Sequence, residues 1–148
     1  MSTPYNNLFL SFLGKITDPF YSEATIMDAE ADMIVLKNSA IIEFEYPRED
    51  IRDFDDEAKV FNQDLSLDTI EIFANLMKLK WIDRQVNNKN VIKQKFTDRD
   101  FKMTSQAEHL NQLLKLKQDT LDECERLKSK YSFVKNRKSN FSGLAGDK

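Results

Sequence analysis

The chain has 148 residues, 41% hydrophobic and 32% charged, with three glycines, three prolines, one cysteine and one histidine. That is one domain's worth of chain, enough to bury a single modest core; so few turn residues argue against an all-β sandwich or barrel, and the lack of any G-x-G or G-K-[ST] excludes a glycine-built phosphate loop. Net charge is only −3, but residues 1–74 carry 16 acidic and 5 basic side chains and residues 75–148 carry 9 and 17, a −11/+8 split that suits intramolecular pairing, contact between successive copies, or nucleic acid.

The opening "MSTPYNNLFLSFLGKI" has neither the basic region nor the apolar length of a signal peptide or a membrane span, so no membrane association is expected. Thr3-Pro4 reads as the cap and first residue of a helix. Tyr5, Leu8, Phe9, Phe12, Leu13 and Ile16 fall on one of its faces, and Asp18-Pro19 breaks it. Ser22 is placed to cap a second helix over 22–45, in which Met27, Ala31, Ile34, Ile41 and Phe44 recur at helical steps and Asp28, Glu30, Asp32 and Lys37 populate the rest. Pro47 ends it.

After the acidic stretch 50–64 comes the strongest helix, 66–87, with Ser66 as cap and Asp68 and Glu71 near its positive end. It is apolar on two sides: Phe73, Met77 and Trp81 are core anchors on one, Ile72, Leu76 and Leu79 line the other, so it should be central. Trp81 should find a partner for its ring N–H. "NNKN" at 87–90 is expected to stop it, and 91–101 to be a connector. The capping-box spacing of Ser105 and Glu108 launches the longest helix, 105–135. Leu110, Leu114, Leu121, Cys124 and Tyr131 approach heptad spacing there, with Leu110 and Leu114 as anchors; Lys117 and Lys128 interrupt the seam. Cys124 reads as a small core residue of a reducing compartment. The expected fold is therefore all-α: a bundle of about four helices over 1–135 with a long C-terminal helix, and an extended C-terminal tail over 136–148.

Chemistry is sparse. His109 is the only histidine, without a second histidine or a cysteine pair to complete a zinc site, and no glycine-framed nucleophile turn accompanies any serine. The stretch "DIRDFDDEAKVFNQD" fails as a calcium loop: counted from Asp53, Ala58 stands where glycine is needed and Asp64 where glutamate is needed. It reads instead as a short helical turn pinned by Phe54 and Phe61, with Asp50, Asp53, Asp55, Asp56 and Glu57 facing outward as an acidic contact surface. Lys130, Lys135, Arg137 and Lys138, in "KYSFVKNRK", form the one compact basic patch, suited to phosphate or to acidic protein. No helix-turn-helix, zinc-finger or aromatic-sheet signature accompanies it. A non-enzymatic protein with no cofactor and no metal is expected.

The segments "TPYNNLF", "RDFDDEAKVFNQDLSLDTIEIFANLMKLKWI" and above all "DFKMTSQAEHLNQLLKLKQ" resemble a family of short proteins from tailed bacteriophages and prophages of Gram-positive hosts, encoded among the virion structural genes between head and tail. The helical layout also resembles head–tail connectors, the adaptor or head-completion class, an analogy at the level of fold. The resemblance implies a structural subunit of the virion neck, made in the host cytoplasm. Its partners would be the portal protein and a neck or tail protein, in a homo-oligomeric ring of about twelve copies by analogy with that class. DNA would pass through the lumen without sequence-specific binding. The alternative is a small phage nucleic-acid-binding or regulatory helical protein.

Overall fold

The computed structural model describes the backbone of residues 1–95 and 103–146, and the side chains of 1–88 and 108–132. Among these residues lie five helices: α1 (Tyr5–Leu13), α2 (Pro19–Glu23), α3 (Ile26–Glu43), α4 (Leu67–Lys95) and α5 (Met103–Gly146). Three two-residue strands, β1 (Thr3–Pro4), β2 (Phe54–Asp55) and β3 (Val60–Phe61), form a small antiparallel sheet in the order β1-β3-β2. The protein is an all-α bundle carrying this clip at one edge.

Helix α4 is the central element, as its two-sided apolar pattern predicts. It packs against α1, α3 and α5, and Phe73, Met77 and Ile82 are fully buried. Trp81 is buried and its Nε1 donates to Asp18 Oδ2 at 2.9 Å. The carboxylate that holds the tryptophan also caps α2 by accepting from Phe20 N at 3.0 Å. Ser66 caps α4 through Thr69 N, and Glu49 Oε1 takes Ser66 N from outside the helix.

Several boundaries differ from the sequence reading. Thr3 is a strand residue: its hydroxyl donates to Gln63 O and accepts from Leu65 N, tying the N-terminus to the approach to α4. Ser22 lies inside α2, and Thr25 caps α3 by accepting from Asp28 N at 3.1 Å. The asparagines at 87–90 do not stop α4, which continues to Lys95. Asparagine costs only about 0.7 kcal/mol relative to alanine in a helix, and no proline or glycine follows to forbid the next turn. Helix α5 begins at Met103, two residues before the capping box, and continues to Gly146. The extended tail expected over 136–148 is thus helical through Gly146. The last proline in the chain is Pro47, so once α5 is nucleated nothing interrupts its hydrogen-bond ladder.

The seam of α5 is rotated from the expected one. Among the described side chains of α5, Leu113, Thr120, Cys124 and Tyr131 are the buried positions, at steps of seven, four and seven, while Leu110 is half-buried and Leu114 is 44% exposed. Leu114 is therefore not a core anchor. Both readings satisfy a near-heptad repeat; which of two adjacent leucines faces α4 is set by the register of the helix pair. Lys117 Nζ lies 2.9 Å from Asp83 Oδ1, and Tyr131 meets Thr69 at 2.9 Å. The two cross-links are fourteen residues apart on each helix, so α4 and α5 run antiparallel without slippage.

Candidate functional site

The acidic stretch is a β-hairpin and not a helical turn. Phe61 is fully buried, Phe54 half-buried, and Ile51 anchors the approach. Asp55 Oδ1 accepts from Glu57 N and Ala58 N, folding the tip, where Lys59 adopts φ 56°. Asp50 accepts from Arg52 N, and Asp53 takes the side-chain amides of Asn62 and Gln63, which hold its carboxyl below the usual range. Of the five acidic residues, Asp50, Asp55, Asp56 and Glu57 are exposed and Asp53 is half-buried. Asp50, Asp53 and Asp55 thus bond the hairpin's own backbone and side-chain amides.

Asp56 differs. It accepts from the Tyr5 hydroxyl at 2.6 Å and from Lys37 Nζ at 3.0 Å. The same Tyr5 oxygen accepts from Lys37 at 2.8 Å. Lys37 is 0% exposed, its ammonium 3.7 Å from the Phe54 ring centre and 4.2 Å from that of Tyr5. Burial pushes the lysine pKa down and the Asp56 contact opposes it. Burial and the Asp56 contact raise the Tyr5 phenol, while the Tyr5 hydrogen bond and then Lys37 lower Asp56. The cluster joins α1, α3 and the hairpin. An amine enclosed by aromatic rings, with no exposed surface, has no space for a substrate; it works as an internal clamp. Sequence reasoning set Lys37 outside the apolar stripe of its helix, with Asp28, Glu30 and Asp32. The signal was present nonetheless: Met33, Leu36, Lys37, Ala40, Ile41 and Phe44 trace one buried stripe at steps of three and one.

A second cluster fixes α5. The Tyr131 hydroxyl accepts from Arg48 N at 2.6 Å and meets Thr69 Oγ1, whose own proton goes to Glu49 Oε2. The Arg48 guanidinium stacks 3.9 Å from the Tyr131 ring centre and donates to the Tyr131 carbonyl at 3.0 Å. Beside this junction is a groove of about 350 Å³ lined by Phe44, Tyr46, Glu125, Lys128 and Ser132 among others. The ion pairs Lys80–Glu43 and Arg84–Asp32 show that part of the charge asymmetry is resolved inside the chain, between basic α4 and acidic α3.

Of the expected basic surface, Lys130 is exposed next to Tyr131; the side chains of Lys135, Arg137 and Lys138 lie outside the described residues. Among the described residues, no ion pair joins the hairpin carboxylates to α5; their one ionic partner is Lys37. Among the described residues, no group of three or more His, Cys, Asp or Glu side chains is placed to hold a metal ion, and no helix is long and apolar enough to cross a membrane. His109 is exposed and Cys124 is buried, its thiol pKa raised by that burial. The class defined by fold is therefore a small all-α bundle with a protruding terminal helix. Comparison with family models, curated proteins and solved structures finds no match to this chain.

Proposed function

We propose that this protein is a structural subunit of a bacteriophage neck, a head–tail connector whose copies form a ring between the portal and the tail. The observation that carries the reading is the length of α5. Helix α4 begins two residues before Thr69, whereas α5 continues fifteen residues beyond Tyr131, the partner of Thr69. The excess is about 20 Å of helix at 1.5 Å per residue, more than this bundle requires for its own core. A protruding helix whose sequence over 127–146 is basic, with five basic side chains and no acidic one, suits heterologous, head-to-tail contact, the kind that closes into rings. The sequence likeness to phage structural proteins supports the same reading, as does the exposed part of the acidic hairpin.

Native mass measurement tests it directly. The chain alone, then mixed with the portal assembly of a tailed phage of a Gram-positive host, should convert to a ring-sized complex on the portal. A stable dimer that binds DNA with steep salt dependence, and ignores the portal, would overturn the connector reading in favour of a nucleic-acid-binding protein. Charge reversal at Lys130, Lys135, Arg137 and Lys138 separates the two again, abolishing assembly in the first case and DNA affinity in the second.

A further inference from the structure

Helix α3 is gripped on both flanks and left open between them. On one flank Lys59, from the hairpin tip, pairs with Glu30; on the other, Arg84 and Lys80 of α4 pair with Asp32 at 2.7 Å and with Glu43 at 2.8 Å. Between the flanks Met27 (77% exposed), Val35 (58%) and Ile42 (73%) stand in water, with Ala31 and Asn38 also exposed and Ile34 half-buried beside Val35. At 3.6 residues per turn the five exposed positions stay within about a quarter of the helix circumference and run about 22 Å along it. Three of the carboxylates that border this stripe are already neutralised by cations of the same chain.

The stripe reads alike in both directions. Helix α3 spans Ile26–Glu43, so its midpoint falls between Ile34 and Val35, and the exposed positions are symmetric about that point: Met27 mirrors Ile42, and Ala31 mirrors Asn38. A second α3, laid antiparallel about a two-fold axis through the midpoint, overlaps along the whole helix. Met27 then faces Ile42 of the second copy at either end, the small Ala31 faces Asn38, and Ile34 and Val35 meet at the axis. An isologous contact demands such a self-complementary patch. The charges agree with it. Because Glu30, Asp32 and Glu43 carry their own cations, the two rims do not repel as bare carboxylates would. Asp28 is exposed and, among the described residues, has no ion pair. The antiparallel register sets it level with Glu43 of the second copy and on the same side, beside the lysine that Glu43 already holds. The stripe offers about 500 Å² per copy, so the pair would bury about 1,000 Å² in total, the lower limit for a specific interface and the size of a reversible one.

We propose that the outer face of α3 is a self-association surface, through which two copies of this chain pair antiparallel about a two-fold axis. The contact is isologous and closes at two copies, so it does not rest on the connector reading. Where that reading also holds, neighbours in a single ring are related by rotation about one axis and cannot share this contact. The α3 pair is then the form of the free subunit, and it opens as a single ring forms on the portal.

Disulfide trapping in the full-length chain with Cys124→Ser tests the register. Val35→Cys should give a linked dimer on mild oxidation. Ala31→Cys and Asn38→Cys preparations should give little alone and a heterodisulfide when mixed, because only the antiparallel pair sets those positions opposite. In analytical ultracentrifugation the parent chain should be a reversible dimer. Val35→Glu with Ile42→Glu, both exposed in the monomer, should keep the melting temperature measured at dilution and raise the dimer dissociation constant at least tenfold. Four results overturn the pairing: a parent chain still monomeric at about 0.1 mM; a disulfide from Ala31→Cys alone, which means a parallel pair; a dimer indifferent to the two glutamates, which puts the contact elsewhere; or a Val35→Cys thiol that cross-links only to added portal or tail protein, which assigns the face to that partner. If the chain is monomeric yet rings on the portal, the pairing is wrong and the neck reading stands. If trapping succeeds but the dimer ignores the portal, the pairing stands and the neck reading falls.

Discussion

Lys37 and Asp56 are not equivalent partners, because one is fully buried and the other has a half-exposed side chain. Asp56→Ala leaves an ammonium enclosed by rings with only the Tyr5 oxygen to bond, at an expected cost of about 2–3 kcal/mol in chemical denaturation, below the roughly 3–5 kcal/mol of a fully buried pair because Asp56 is half-exposed. Lys37→Met removes the desolvation cost together with the charge. Asp56 keeps Tyr5 and water, so that variant should lose less than about 1 kcal/mol. Equal losses from the two variants would refute the clamp. At the other cluster, Tyr131→Phe strands Arg48 N–H and the Thr69 hydroxyl's second contact, and should cost about 1–2 kcal/mol by the same measurement. The stripe that carries Lys37 is legible in the sequence, but neither network of partners is. A lysine in an apolar stripe and a tyrosine in a seam look like a solvated charge and a core ring until the opposing loops are in place.

Elements were easier to recognise than their edges. The two-sided pattern of α4 marked it as central, and the 3.6-residue period marked α3 and α5 as helices. That period does not say which side of a doubly apolar helix faces inward: Met27 and Ala31, read in one stripe with Ile34, Ile41 and Phe44, are exposed. The hairpin was missed because two-residue strands carry no alternation to read; Phe54 and Phe61 were recognised as anchors, but the pairing that places them opposite each other comes from the β1–β3–β2 sheet. In α5, adjacent leucines provide a direct check of register. Leu113→Ala should cost about 2–3 kcal/mol as a buried truncation, whereas Leu114→Ala should cost under about 1 kcal/mol. Thermal or urea unfolding of the two variants distinguishes the observed seam from the one rotated by a residue.

For the molecule as a whole, the paired carboxylates set the response to acid. Glu43 is lowered by Lys80, Asp53 by its two amides, and Asp56 by Tyr5 and Lys37. Asp32 is lowered as well: burial pushes it upward, but the hydrogen bonds from Arg84 and Tyr21 outweigh that. With folded pKa values below the unfolded ones, the unfolded chain binds more protons in this window, so stability rises with pH. The contribution is fully present above the unfolded carboxylate values of about 4 and is lost as pH falls through the lower folded ones. Unfolding free energy measured from pH 6 down to pH 2 should drop steeply below pH 4, and Asp32→Asn should blunt the drop. At the alkaline end the Tyr5 and Tyr21 phenols, raised chiefly by burial, should ionise only with unfolding, visible as a delayed phenolate absorbance.

Composition, helical periodicity and capping signals by themselves determined an all-α protein built around the helix that Ser66 caps, with Phe73, Met77 and Trp81 in its core. These are local properties, carried by residues within a few turns of one another. The tertiary structure decided what depends on meetings across the chain: the hairpin seated on α1 and α3 by Tyr5, Lys37 and Asp56, the rotated seam of α5, and the unused apolar face of α3. It also decided how far α5 runs past its own bundle. A period records that a face is apolar; only packing decides whether that face is already covered or still available to a second chain.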